Sequence, residues 1–598
     1  MLWFATGFTE PIEPLRSIVV YLGSPNCVHQ IRCGNAYIPV TITLQAALLA
    51  RRDAIKTRTL WIDQLCINQE DIAERNSQVK IMHMIYKRAT RTIIYLETTE
   101  APEPAIKLNT IKLIREARRA HEDGEGPMLK EFQQALSHPW FRRVWILQEV
   151  SMSKEEKIIA HCRGSIKSWD ALRQGANLLS AYVPGQKYRF LQLPPSIHLH
   201  KTVVSTITTL SDDRVSPFVS LDYFTRQWVD EFYIWPLTKF LHYAEPRLVE
   251  SLQASRFCLA TDPRDKVYSL LNMLRINPEY SWLLDVDYAL QPSEVFLRAA
   301  RYSIETEKSL EIMCYKEGGA SIPDLPSWAP DWTQQQLFPI NRIAMPYHLR
   351  SQFHLNIPMA WWYLPLRRSC NKTQVATFSG DGRVITLKGY KLDTISNTSS
   401  VWLAGLDEID GTKFHEWADM YTGGKGSQFS DLPFKPERWP KGIQTVPKSI
   451  CDFWLRVSRH KRLKTTDTID PFTSDHPTQK EWRRSPYCRH WHGRSYVVNR
   501  QNYLYYVSFQ CWLTLMLPFA SIGRRVATTR DGYFMLVPPE SRADDLVYFL
   551  EGGGTLAYIV RKVGSAAKFE YVGTAYVHGF FGTKMKWRGR VTEDLVII

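Results

Sequence analysis

Over its first 165 residues the chain alternates short β-branched runs with stretches of helical apolar spacing, and this alternation admits few folds. The run Ser17-Ile18-Val19-Val20-Tyr21 reads as a first strand ending in the turn-like Gly23-Ser24-Pro25-Asn26. Residues 43–55 place Leu44, Ala47, Leu48 and Ile55 at helical spacing. Residues 59–62 read as a short strand closed by Asp63, and residues 71–89 as a second helix. Asp71 can cap that helix with Glu74 three residues on, and Ile72, Val79, Met82, Ile85, Tyr86 and Ala89 form its inward stripe. Residues 92–96 give another strand, Trp145 to Val150 fall on a further helix, and residues 157–162 read as a fourth strand. Strands joined through helices imply a parallel sheet covered on both faces.

The rest of the chain divides by pattern. At 598 residues it exceeds what one core supports, and roughly three domains of about 150–200 residues are expected. The boundaries read as 10–165 for the α/β domain, 166–365 for a mainly helical region, and 366–598 for a β-rich α+β region. In the helical region Asp262-Pro263-Arg264-Asp265 opens one helix and Pro292 another, while the prolines of residues 323–332 exclude regular helix. In the β-rich region Asp381-Gly382 turns into a strand over residues 383–392. Residues 532–559 hold short β-type runs between Pro538-Pro539 and Gly552-Gly553-Gly554.

Composition excludes several classes. With 44% apolar and 23% charged residues the chain can bury enough surface to fold. The net charge of +15 is concentrated near residues 438–500, where His460-Lys461-Arg462-Leu463-Lys464 and Arg483-Arg484 lie among few acids. That stretch reads as a solvated insertion; nucleic-acid binding is the weaker alternative, since no finger or stacking motif accompanies the charge. Ten cysteines without a Cys-x-x-Cys pair suit a reducing, cytoplasmic setting. Cys488, His490 and His492 lack a second half, so no metal site is expected. The first 14 residues do not read as a secretory signal. Residues 503–520 carry no charge, but Ser508, Gln510, Thr514 and Pro518 favour a buried segment over a membrane span. No phosphate-binding loop, nucleophile elbow or His-Glu-x-x-His is present, and Gly380-Asp381-Gly382 reads as a hairpin turn.

Two motifs carry a resemblance. The first is Leu60-Trp61-Ile62-Asp63-Gln64-Leu65-Cys66-Ile67-Asn68-Gln69, followed by Asp71, Glu74, Gln78, Met82 and Ile85-Tyr86. The second is Trp140-Phe141-Arg142-Arg143-Val144-Trp145-Ile146-Leu147-Gln148-Glu149. Together they resemble the fungal heterokaryon-incompatibility (HET) domain, whose Trp-Ile-Asp-x-x-Cys-Ile-Asn-Gln run is nearly complete here. The family's Arg-x-Trp-Thr-x-Gln-Glu keeps Arg143, Trp145, Gln148 and Glu149, with Ile146 for Thr. Its opening Ser-Tyr-x-Trp-Gly corresponds to Val19-Val20-Tyr21-Leu22-Gly23, which keeps only the glycine; the start either diverges or lacks the family's first exon. Residues 262–274, 325–332, 532–533 and 576–579 also resemble longer fungal HET proteins.

The resemblance implies a TIR-like α/β domain acting in fungal non-self recognition and programmed cell death, through a protein partner or self-association. Membrane and nucleic-acid partners are not expected. Because some TIR-like domains cleave NAD, it also implies a possible NAD glycohydrolase with Glu149 as the catalytic carboxylate, NAD being substrate and no cofactor being required. Asp63, Asn68, Gln69 and Arg143 would contact that substrate. The structural alternative makes Trp61, Ile62, Val144 and Trp145 core residues. In it Arg143 is an ion-pair partner of Asp63 or Glu149, and Cys66 a small buried hydrophobe.

Overall fold

A computed structural model describes residues 16–20, 29–53, 55, 57–96, 138–162, 165–169, 247–256, 258–316, 318, 322–334, 375–401, 523–554, 556–564, 567–577 and 591–598. The basic stretch 438–500, the apolar stretch 503–520, Tyr21 to Gly23 and the Cys488 to His492 cluster lie outside the described residues. The chain forms two compact units, Met1–Ala299 and Ala300–Ile598.

The first unit begins with an α/β region. Its strands are β1 (Arg16–Val20), β4 (Leu60–Trp61), β5 (Arg91–Tyr95), β6 (Ile158–Cys162) and β7 (Ser165–Ser168), ordered β4-β1-β5-β6-β7. The first four run parallel and β7 pairs antiparallel with β6, so the sheet is mixed rather than purely parallel. A separate antiparallel hairpin, β2 (His29–Cys33) and β3 (Ala36–Val40), turns at Gly34, whose φ of 61° suits a residue without Cβ.

Helix α1 (Ile42–Arg51) packs on one face of this sheet. Its N-cap Thr41 accepts from Leu44 N–H at 3.2 Å, and Val40, Leu44 and Ala47 join Ile62, Ile93 and Tyr95 in one core cluster. Side chains alternate along a strand, so Thr92 and Ile94 face the other side. There Thr92 Oγ1 lies 2.7 Å from Ser153 Oγ, at the end of α4 (Ile146–Met152). All of Thr92, Ile93, Ile94 and Tyr95 are buried, as a strand covered on both faces requires.

Helix α3 (Ile72–Arg88) follows the single-turn α2 (Asp63–Cys66) and packs against α4. Asp71 caps it by accepting from Glu74 N–H at 3.0 Å. Glu74 does not return to Asp71 N–H; its Oε1 accepts from Asn68 N–H at 3.1 Å, tying the preceding turn to the helix. Val79, Met82, Tyr86 and Ala89 are buried as the spacing predicts, whereas Ile72, at the first helical position, is exposed. Helices α5 (Leu248–Ala254) and α6 (Asp265–Leu271) follow; α6 packs on α5 and on α4.

Helix α7 (Pro292–Glu307) is followed by a sheet of β8 (Ala376–Phe378), β9 (Ile385–Thr398), β10 (Arg525–Thr529), β11 (Phe534–Val537), β12 (Leu546–Leu550), β13 (Ala557–Val563), β14 (Lys568–Val577) and β15 (Glu593–Ile597). The order β10-β11-β14-β13-β12-β9 closes on itself, because β9 also pairs with β10. The result is an antiparallel barrel that leaves these strands no open edge. Register shifts at Thr528/Thr529, Val547/Tyr548 and Ile559/Val560 bend the strands round the closure. Tyr390, Ile395, Met535, Val547, Phe549 and Ile559 are among the buried side chains of its core. Residues 323–332 form turns, with Trp328 and Trp332 fully buried.

Two outcomes test this description. Asp71→Ala should cost about 1 kcal/mol in urea unfolding of the first unit. Gly389→Ala would place a Cβ 2.6 Å from Leu550 Cδ2 and 2.7 Å from the Phe549 carbonyl oxygen. It should cost about 1–3 kcal/mol in the second unit, read from the denaturant midpoint.

Candidate functional site

The two motifs meet at one buried cluster. In the first, β4 brings Trp61 and Ile62 into the core, and Trp61 stacks edge-on against Tyr86 with centroids 5.6 Å apart. Asp63 comes directly after, opens α2, and accepts from Gln64 N–H at 2.8 Å. In the second motif, His138 accepts from Trp140 N–H at 3.2 Å and so caps the 3-10 turn Pro139–Arg142. That turn buries Trp140 and Phe141 and delivers Arg143 to the start of α4. Glu149 sits in the first turn of α4, and Ser153 Oγ donates to its backbone carbonyl at 2.7 Å.

Glu149 is only 2% exposed, and its Oε2 has no hydrogen-bond partner. Burial pushes its carboxyl up to about 8; Arg143 pulls the value down, Asp63 pushes it up, and the Trp140 indole acts as a weak donor. That indole N–H is itself buried and makes no hydrogen bond of ordinary geometry. Tyr86 is likewise raised well above its ordinary value, first by burial and then by Glu149 and Asp63. Glu149, Asp63, Arg143 and Tyr86 therefore form one electrostatic unit, in which burial favours the neutral form of Glu149.

The other motif residues fall into two groups. Ile67 is buried, Gln78 is half-buried, and the half-buried Cys66 has its thiol raised by burial, which argues against a reactive thiolate. Asn68 and Gln69 are exposed, and Asn68 Oδ1 accepts from Glu70 N–H at 3.1 Å, a turn-forming bond. The structure thus brings Asp63, Arg143 and Glu149 together and leaves Asn68 and Gln69 at the surface of the α2–α3 turn. Gln148 is fully buried with both amide atoms unpartnered.

Trp145 points elsewhere. Its Nε1 donates to Asp265 Oδ2 at 2.9 Å, and Tyr288 OH donates to Asp265 Oδ1 at 2.5 Å. Arg75 of α3 bonds Asp262 at 3.2 Å and lies over the Tyr288 ring at 3.5 Å. In the sequence Asp262-Pro263-Arg264-Asp265 opens a helix and belongs to a stretch resembling longer fungal HET proteins, but nothing local to it signals a partner more than a hundred residues away. Among the described residues no group of three or more His, Cys, Asp or Glu is placed to hold a metal. Nor, among them, is any helix long and apolar enough to cross a membrane.

Fold and cluster define an α/β domain with a buried acid at the meeting point of two tryptophan-containing motifs. Residues 22–149 match the family model described as Heterokaryon incompatibility protein (HET), a span that holds both motifs and ends at Glu149. Over 410 residues the chain is 23% identical to heterokaryon incompatibility protein 6, OR allele, of Neurospora crassa, covering 58% of this chain and 56% of the relative. The chain thus spans about half the length of the curated relative it matches. No solved structure matches it. The chain thus contains a stretch, residues 22–149, that is similar to the HET domain.

The raised Glu149 carboxyl gives a pH signature. Against an ordinary value of 4.5, the folded chain keeps a proton that the unfolded chain has lost, so stability present at low pH is lost as pH rises from 4.5 to about 8. His161, held down to about 4 by burial and then by Arg51, acts in the opposite sense below 6.5. The difference between proteins is therefore the quantity to read. Glu149→Gln should gain melting temperature relative to the parent as pH rises through 4.5–8; a constant difference would mean that folded Glu149 is ionised.

Proposed function

We propose that this protein acts in fungal heterokaryon incompatibility, as an effector of non-self recognition and programmed cell death signalling. The observation that carries the reading is that the HET match covers the residues that build the Asp63–Tyr86–Arg143–Glu149 cluster. The name of the Neurospora relative agrees with it. In this reading the α/β domain is the effector, the remainder restrains it or senses a partner, and activation runs through a protein partner or self-association. The setting is cytoplasmic, where cysteines such as Cys33, Cys66, Cys258 and Cys314 stay free thiols.

A second reading, NAD glycohydrolysis by a TIR-like domain, is favoured by one observation: Glu149 is a buried carboxyl with an oxygen left unpartnered. The strand order β4-β1-β5-β6 is also that of doubly wound sheets, which bind ligands at the carboxyl ends of their strands. A cationic nicotinamide ring entering beside Glu149 would favour its ionised form. The carboxylate would then hold the ribose hydroxyls and stabilise the oxocarbenium-like charge as nicotinamide leaves. Asp63 and Arg143 would set its charge, with Asn68 and Gln69 reaching substrate from the α2–α3 turn.

Expression in fungal cells separates the two. The parent chain should reduce viability, and Glu149→Gln, at equal abundance, should abolish NAD loss if the enzyme reading holds. Toxicity that survives Glu149→Gln with NAD unchanged would leave signalling through an intact fold. Absence of toxicity with every candidate partner co-expressed would overturn the effector reading.

A further inference from the structure

His161 stands near the carboxyl end of β6, on the face of the sheet that α1 covers. Tyr95 of β5 is its register partner, and the two rings stack with centroids 6.3 Å apart and planes 24° from parallel. Ile93, Tyr95 and Ile159 all pack with the α1 cluster, so His161, two residues after Ile159, shares their face. Glu149 belongs to α4, whose Ser153 meets Thr92 on the opposite face. His161 therefore lies outside the Glu149 cluster.

One hydrogen bond fixes the chemistry of this ring. Arg51, the last residue of α1, has its Nη2 2.7 Å from His161 Nδ1. A guanidinium can only donate, so Nδ1 is the acceptor, the ring is neutral and its hydrogen sits on Nε2. Burial, and then Arg51, hold the imidazole down to about 4, so this tautomer persists at neutral pH. Nε2 is buried and has no hydrogen-bond partner, on a side chain only 7% exposed. A buried donor without an acceptor has given up its hydration with nothing in return, and so points to a partner that accepts from it.

Position and charge identify the class of partner. β1 lies between β4 and β5, so the chain leaves it first to one side and then to the other, and Val20 at its end pairs with Tyr95. In sheets of this kind ligands settle at the carboxyl ends of the strands beside such a reversal. His161 is one strand further on, in register with Tyr95. The guanidinium next to the ring makes an acceptor that carries negative charge a better partner than a neutral one.

We propose that His161 and Arg51 form a binding site for a small oxyanion, a phosphate or carboxylate group, at the carboxyl ends of β5 and β6. His161 Nε2–H donates to one oxygen, Arg51 supplies the charge, and the Tyr95 ring sets the plane of the imidazole. The site does not depend on the reading of Glu149 and stands or falls without it.

Calorimetric titration of the full chain with sodium phosphate and with sodium acetate, at neutral pH and constant ionic strength, tests the site. The two arms separate a phosphate from a carboxylate ligand, and at least one anion should bind. His161→Phe keeps an aromatic ring and removes the donor; it should weaken that binding about tenfold or more, as should Arg51→Gln. In the parent chain the same anion should shift the imidazole N–H resonance of His161 in NMR spectra. Urea midpoints show whether each variant is folded; if His161→Phe is not, Arg51→Gln decides, and if neither is, the resonance does. Binding of neither anion would mean that Nε2 bonds to water alone and would overturn the site. Binding that both folded variants retain at parental strength would place the anion elsewhere and overturn it equally.

Discussion

Burying Glu149 between α3, α4 and the sheet is the constraint around which the first unit is arranged. An ionised carboxylate there would lose its hydration without full replacement, so the site favours the neutral acid and draws Arg143, Asp63 and Trp140 around it. That arrangement fixes the order of the second motif. A capped 3-10 turn sets Trp140 under the carboxyl, Arg143 beside it, and Trp145 at the start of the helix. The first motif answers from the other side with Trp61 against Tyr86 and Asp63 at the end of β4. Two sequence motifs some eighty residues apart therefore describe one packing problem.

Much of this was legible in the sequence because its signals are local. Asp71 caps α3 as its position before the apolar stripe predicts, and the run Ile93-Ile94-Tyr95 reads as a strand covered on both faces. The hairpin β2–β3 was not legible: β2 alternates, but only Ile31 and Cys33 are apolar in it, Pro39 interrupts β3, and few of its side chains reach the core. β7 was hidden for a similar reason, as Ser165, Lys167 and Ser168 carry no β-type signal and the strand is held by pairing with β6.

The site was legible where family motifs named it and obscure where chemistry depends on distance. Asp63, Arg143 and Glu149 fall together, but Tyr86 read as a motif and core residue without a role in the site, and its place beside Glu149 follows from the packing of α3 on α4. The pairing of Asp265 with Tyr288 and Trp145 could not be read at all. These bonds arise only once the chain has folded back over a long intervening stretch. The barrel of the second unit shows the same limit, since the start of β9 and the runs within 532–559 are readable while β10, β14, β15 and the closure are not.

That closure sets a timetable. Strand β9 supplies partners to β8, β10, β12 and β15, so residues 385–398 await a strand that ends at Ile597. At about 5–20 residues per second of synthesis, the wait is on the order of 10–40 s. Throughout it, a 14-residue strand with Ile385, Leu387, Tyr390 and Ile395 destined for burial emerges without its main partners. Lys388 and Lys391 stand exposed along it, and charge on a strand hinders strand-to-strand aggregation. Exposed charge of this kind favours a strand that stays single until its own later partners arrive.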